Sequence, residues 1–308
     1  MTSVDPFKHR LRLTKWDWLR TYFLTVILVP IRIVFAQIIL ILMNLISRIA
    51  LFNVDKSTLT KKPLTSRWMK LMKKFVLCLA RIGIRFCGFY ITVKGDVASF
   101  QDAPIIVGAP HSTFLDALAT FYCFDWASTI LAEEYKNLPI AGKIVELFQP
   151  ILVRRTDPHS RDNVRKEIVR RATSNEEWPQ LFISPEGMCS NRKALLPFKL
   201  GAFHPGTPIQ PFLTEYPNRI DTVTWTWNQP HGAMTVIWLT LAQPMTRISI
   251  EFLPVYYPSL QEKQDPKLYA TNLRTLMSQH YNVEIYDISL EEVKQKYGNN
   301  SKATQKED

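Results

Sequence analysis

With 308 residues and a mass of 35.7 kDa, the chain has room for one large domain or two modest ones. A composition of 46% hydrophobic, 12% aromatic and 21% charged residues excludes both a disordered chain and a small disulfide scaffold. A formal net charge of +11 points to an anionic partner, either nucleic acid or a membrane surface.

The charge is unevenly placed. Residues 1–100 hold 17 basic and 4 acidic side chains, a net of +13, and the remaining 208 residues hold 21 and 23, a net of −2. A basic third on a neutral remainder reads as an anchoring device. The four cysteines, Cys78, Cys87, Cys123 and Cys189, form no CxxC pair and have no histidine at zinc-finger spacing, so reduced thiols and no metal are expected.

Between Arg20 and Arg48 lies a run of 27 residues whose one charge is Arg32. As a straight helix it would exceed the roughly 30 Å hydrocarbon core. Pro30 and Arg32 sit near its middle, where a helix break and a charge are both costly in lipid, and basic residues flank both ends. These features predict a re-entrant helical hairpin at about residues 20–48, bent near Pro30–Arg32, with a single tilted span that buries Arg32 against protein as the alternative. From Arg67 to Phe89, Trp68, Leu71, Met72, Phe75, Leu79, Ile82 and Phe86 recur at three- and four-residue spacings with Lys and Arg between them. That pattern predicts an amphipathic cationic helix, lying in the headgroup layer or packed on the domain. No nucleic-acid motif interleaves these bases with aromatics, so the membrane is the expected anionic partner and nucleic acid is not.

After Tyr90, short apolar runs alternate with turn signals and helical patterns. Strands are predicted at Tyr90–Lys94, Pro104–Gly108, Ser128–Ala132, Ile151–Arg154, Gln180–Ser184, Pro208–Phe212, Thr222–Trp227 and Arg247–Leu253, with helices at Asp116–Phe124, Arg161–Ala172 and Pro266–His280. The alternation predicts an α/β domain, a mixed sheet flanked by helices. The expected organisation is a basic region with the hairpin (1–66), an amphipathic helix plus α/β domain (67–295), and a disordered polar tail (296–308).

The chemistry concentrates in two places. In APHSTFLDAL, His111 precedes Asp116 by five residues, too far round a continuous helix to share a face. The two can pair only if His111 lies in the strand-to-helix loop. A carboxylate on one imidazole nitrogen would then fix the tautomer and strengthen the other as a base. Seventy residues on, a strand runs into Pro185, and Glu186-Gly187 open a loop rich in polar and cationic residues, among them Arg192 and Lys199. Arg154 and Arg155 follow another strand, and PGTPIQPF places Pro208 in a stiff loop-and-strand.

In order and spacing these segments resemble the glycerolipid acyltransferase family. His111 and Asp116 match its H-x4-D block, Arg155 its strand ending in Arg, Glu186 and Gly187 its E-G block, and Pro208 its Pro-bearing strand. EGMCSNR, FKLGAF and GTPIQPF are most similar to lysophosphatidylcholine-type members. Met188 stands where the family usually has Thr, which raises the question of an altered or inactive site.

The resemblance implies a membrane-bound enzyme that moves a fatty acyl group from acyl-CoA, as co-substrate, to the free hydroxyl of a lysophospholipid. His111 and Asp116 would be catalytic. Arg155, Glu186, Gly187, Arg192, Lys199 and Pro208 would bind substrate. No metal or prosthetic group is implied, and no calcium-binding loop occurs. The implied location is the endoplasmic reticulum membrane, with the site facing the cytosol. A lysophosphatidate acyltransferase and a non-catalytic membrane scaffold are the alternatives. No oligomeric state can be read from the sequence.

Overall fold

The computed structural model describes residues 5–304 apart from 56, 126, 155, 156, 158 and 230. Three helices, α1 (Lys15–Ala50), α2 (Thr58–Lys61) and α3 (Arg67–Phe86), precede β1 (Phe89–Lys94) and β2 (Ile105–Ala109). Then follow α4 (Ala117–Cys123), β3 (Ala127–Ala132), α5 (Gly142–Leu147), β4 (Ile151–Val153), α6 (Ser160–Ala172), β5 (Gln180–Ile183), β6 (Ala194–Leu195) and β7 (Ile209–Glu215). The chain closes with α7 (Ala233–Leu241), β8 (Thr246–Phe252), α8 (Leu260–Gln264), α9 (Pro266–Tyr281), β9 (Glu284–Ile285) and α10 (Leu290–Thr304).

Seven strands form one sheet in the order β1-β8-β7-β2-β5-β3-β4. All neighbours are parallel except β7 and β8, so the expected mixed α/β sheet is found. Side chains alternate across it. Ile105, Val107, Leu181, Ile183 and Leu213 enter a core with Ile168 of α6 and Tyr269, Leu273 and Met277 of α9. Ile106, Phe182, Phe212 and Phe252 enter the opposite core with Ile84 of α3 and Phe124. Gly108 lies on this aromatic side because a Cβ there would come within 2.5 Å of Phe212.

Two predicted elements differ. Thr222–Trp227 is not a strand. Its N–H groups are taken up elsewhere, Thr224 by the Asp221 carboxylate, Trp225 by the Ser112 carbonyl and Thr226 by Gln229. The tail expected to be disordered from 296 is instead partly in α10, because Val293 and Tyr297 bury their side chains against Phe7 and Leu196.

The largest correction concerns the membrane segment. No hairpin forms at Pro30–Arg32; α1 runs through both as one helix of 36 residues, about 54 Å long. A Thr14–Asp17 capping box starts it, with N–H to oxygen distances of 3.0 and 3.1 Å. Arg32 is buried because its guanidinium donates to the carbonyls of Leu241 (2.7 Å), Gln243 and Pro244 (2.8 Å). These oxygens lie at the C-terminal end of α7, where helix carbonyls lack intrahelical donors and the helix dipole favours a cation. The charge expected at a bend therefore fastens a straight helix to the sheet domain. Reversal comes later, between Leu51 and Ser66, and α3 packs back on α1 through Gly83 against Ile39 and Phe86 stacked on Phe35 at 3.7 Å.

Arg32→Leu should take away the charged donor to these carbonyls and cost about 1–3 kcal/mol of stability. Thermal or urea unfolding of the detergent-solubilised protein measures it. An unchanged midpoint would mean that apolar packing alone holds α1.

Candidate active site

The site forms where β2 ends. A cis Ala109–Pro110 peptide leads into His111, Ser112 and Thr113, followed by a 3-10 turn over Phe114–Asp116 that opens α4. This is the loop placement that the five-residue spacing required. Asp116 Oδ2 lies 2.8 Å from His111 Nδ1 and accepts the N–H groups of Ser112 (2.8 Å) and Thr113 (3.2 Å). The Tyr216 hydroxyl donates to the other oxygen, Oδ1. A carboxylate held by these donors keeps its direction. With Nδ1–H given to Asp116, Nε2 carries the free lone pair.

Burial works against the imidazolium of His111. The hydrogen bond to Asp116 and the Cys189 sulfur within hydrogen-bonding reach outweigh it, and the pKa is held well above the ordinary value of 6.5. The His111 side chain is nevertheless 24% exposed, so the ring is reachable from outside.

The loop after β5 fixes the backbone of the same histidine. Glu186 is 0% exposed; its Oε2 accepts the His111 N–H at 2.6 Å and its Oε1 accepts the Leu196 N–H at 2.7 Å. Burial pushes the carboxyl up to about 7 against the pull of these two donors. Ser190 N–H donates to the His111 carbonyl at 2.8 Å. Both backbone polar groups of His111 are thus held by one loop. Gly187, at φ +62°, supplies its left-handed turn, and a Cβ there would fall 2.2 Å from Lys199 Nζ.

A family model described as Acyltransferase matches residues 90–215, which contain all of these groups except Tyr216. Residues 90–215 belong to the Acyltransferase family. The chain is 44% identical over 294 residues to lysophosphatidylcholine acyltransferase 2B of Mus musculus, covering 95% of this chain and 56% of that protein. It is 42% identical over 292 residues to the lysophosphatidylcholine acyltransferase of Drosophila melanogaster (94% and 54%). Against the human lysophospholipid acyltransferase LPCAT4 the identity is 41% over 278 residues (90% and 52%). The chain thus spans about half the length of these relatives. A solved structure, the 1-acyl-sn-glycerophosphate acyltransferase PlsC from Thermotoga maritima, aligns with TM-score 0.53 at 14% identity, over 87% of this chain and 99% of that one; it supports the fold.

Within the acyltransferase domain the expected site residues divide. His111, Asp116, Glu186 and Gly187 are brought together, but Glu186 is a buried clamp on His111 with both oxygens occupied by backbone, not an open substrate contact. Arg192 is also committed: it pairs with Asp221, donates to Thr224 Oγ1 at 2.9 Å, and lies over the Tyr216 ring at 5.0 Å. Lys199 has no acceptor among the described residues, and burial together with Arg161 lowers its pKa. Pro208 is not part of the site. It precedes Ile209, which pairs with Ile105, while His111 lies past the opposite end of β2, about 16 Å away along the strands. Arg155 lies outside the described residues. Met188 packs with the Phe7, Leu196, Val293 and Tyr297 cluster.

Three contributors went unread in the sequence. Tyr216 follows β7 and reaches Asp116 across 100 residues. Cys189 is legible in the sequence only as a reduced thiol. The third is an N-terminal strap. Asn191 Nδ2 donates to the carbonyls of Asp5 (2.8 Å) and Lys8 (3.0 Å), Asn191 N–H to that of Pro6, and Phe7 is fully buried. Only Phe7, a lone aromatic in a polar stretch, hinted at the strap.

Glu186→Gln keeps the shape but turns an amide NH2 toward one of two backbone N–H donors. It should lower stability by about 1–3 kcal/mol and depress activity through misplacement of His111. Calorimetry beside an activity assay measures both; unchanged stability would exclude the clamp.

Proposed function

We propose that the chain transfers a fatty acyl group from acyl-CoA to the free hydroxyl of a lysophospholipid, with lysophosphatidylcholine or lysophosphatidylethanolamine as acceptor. The observation that carries this reading is the His111–Asp116 pair, at 2.8 Å, at the mouth of an Acyltransferase domain. The names of the 39–44% identical relatives support the acceptor class.

A hydroxyl is a weak nucleophile and a thioester an activated donor, so the step needs one placed base. His111 Nε2 takes the hydroxyl proton as that oxygen attacks the thioester carbonyl. The tetrahedral intermediate then expels the CoA thiolate, which receives the proton. Asp116 orients the ring and stabilises the imidazolium. Lys199, without an acceptor among the described residues, stands beside the Glu186-Gly187 turn and is the proposed contact for a substrate phosphate.

Cys189, which helps to raise the pKa of His111, allows a second route. Its thiol would pass its proton to His111 and attack the thioester, CoA leaving with that proton; the lysophospholipid hydroxyl, deprotonated by His111, would then displace Cys189, which takes the proton back. Cys189→Ala separates the two: direct transfer survives it, whereas the two-step route does not.

The site meets lipid through α1. This helix is fastened to the domain at Asp17 by Arg219, at Thr25 by Trp238, at Arg32 by the α7 carbonyls and at Asn44 by the Ile140 carbonyl. Leu19, Phe23, Val26, Ile38, Ile41 and Leu45 remain exposed. A helix tied along its length to a polar-surfaced domain lies against the bilayer with its outer face in the acyl region. The proposed location is the endoplasmic reticulum membrane, with His111 facing the cytosol and its acyl-CoA.

Purified protein given labelled acyl-CoA and lysophospholipids of different headgroups tests the reading. His111→Ala should lose about 10²–10⁴-fold in rate; retained activity would remove His111 as the base. Turnover of lysophosphatidate alone would assign the alternative acceptor, and turnover of nothing would favour a scaffold. Because only the neutral imidazole accepts a proton and its pKa is raised, kcat/KM should still climb about tenfold per pH unit between 7 and 8, where an ordinary histidine has levelled off. Asp116→Asn should move that limb to lower pH and lower the plateau.

A further inference from the structure

We infer that a cavity of about 210 Å³ beside the N-terminal end of α1 binds the phosphate headgroup of an anionic lipid. Its walls come from α1, from the loop after β7 and from the turn into β8, and three arginines, Arg20, Arg219 and Arg247, line it. No carboxylate lines it, and none of the residues around His111 does. Arg219 pairs with Asp17, whereas Arg20 and Arg247 make no ion pair among the described residues. The arginines sit on firm supports. Asn218 both donates to the Arg247 carbonyl (2.9 Å) and accepts the Arg247 N–H (2.8 Å), locking the loop to β8.

Guanidinium groups that share a small cavity repel one another, and a bound anion with several oxygens turns that cost into attraction. The volume is below the roughly 300–1,000 Å³ of sites that enclose a drug-sized ligand. It suits a phosphate headgroup whose chains stay outside. Beside it, Leu19 (60% exposed) and Phe23 (64%) on α1 offer those chains an apolar surface. Trp18, Tyr22 and Trp238 cluster with ring centroids 5.6–6.4 Å apart, the aromatic grouping found at the headgroup level of bilayers. This apolar and aromatic border favours a lipid over a free phosphate ion.

Thermal unfolding of the full chain in a neutral detergent tests the site without any need for turnover, so its result is separate from that of the acyltransferase reading. The probes are dihexanoyl phosphatidic acid, dihexanoyl phosphatidylcholine and inorganic phosphate at equal concentration. Phosphatidic acid should raise the midpoint by about 2–4 °C or more, and the other two should not. The double variant Arg20→Gln/Arg247→Gln should lose the rise, and Arg20→Lys/Arg247→Lys should keep part of it. An equal rise in the Gln double variant, or no rise in the parent, overturns the site. An equal rise with inorganic phosphate overturns the lipid assignment in favour of a free-anion site.

Discussion

The carboxylate of Asp116 is the point on which the catalytic end of the sheet converges. It accepts two backbone N–H groups that start the 3-10 turn, the imidazole N–H that sets the tautomer of His111, and the hydroxyl of Tyr216 at the end of β7. From Tyr216 the contacts continue outward. Arg192 covers its ring and pairs with Asp221, and the Asp221 carbonyl lies 3.1 Å from His9 Nε2 in the N-terminal strap. A few residues later the strap enters α1. The geometry of the base and the position of the membrane-facing helix are therefore parts of one connected polar network. A further carboxylate, Glu186, holds the backbone of the same histidine. A base fixed at ring and backbone loses little orientation when substrate arrives, which is the form in which general-base catalysis is most effective.

The basic third divides into structural and exposed charge. Arg32 is spent on α7 carbonyls, Lys73 is buried in α3, Arg81 faces Asp125 and Lys70 faces Glu177. What remains outward on α3 is an apolar row, Trp68, Leu71, Phe75, Ile82 and Phe86, between cations. The anchor is consequently less an electrostatic patch than an apolar surface rimmed by charge. Exposed surface pairs add little by themselves, so at the proposed membrane surface the burial of that row would dominate.

Local patterning carried much of the fold into view. The strands that became β2, β5, β7 and β8 and the helices α3, α6 and α9 were legible as apolar periods of two or of three to four between turn signals. His111 and Asp116 were legible because their spacing admits only one arrangement. The failures have one physical origin, which is that the deciding partners are remote. Pro30 and Arg32 look like a break until the α7 carbonyls, 209 to 212 residues away, are seen to take the charge. Thr222–Trp227 has the alternation of a strand, but its N–H groups find loop partners. Glu186 reads as a substrate ligand until both its oxygens are found occupied.

Under the proposed function, the same remote contacts let a straight α1 held along the domain serve lipid substrates better than one held perpendicular to it. A helix of about 54 Å held perpendicular to the bilayer would carry only its end to the domain. Here contacts are made at Asp17, Thr25, Arg32 and Asn44, so the helix axis follows the domain surface. Its N-terminal half borders the loop that follows Tyr216, one residue from the hydroxyl that holds Asp116. Lipid lying along the outer face of α1 is thereby brought level with the edge of the sheet that carries His111. Under the proposed function, a lysophospholipid leaving a bilayer at that edge would expose its hydroxyl before its chain has to leave the apolar phase. The largest cost of extracting it, about 0.8 kcal/mol for each methylene exposed to water, is avoided.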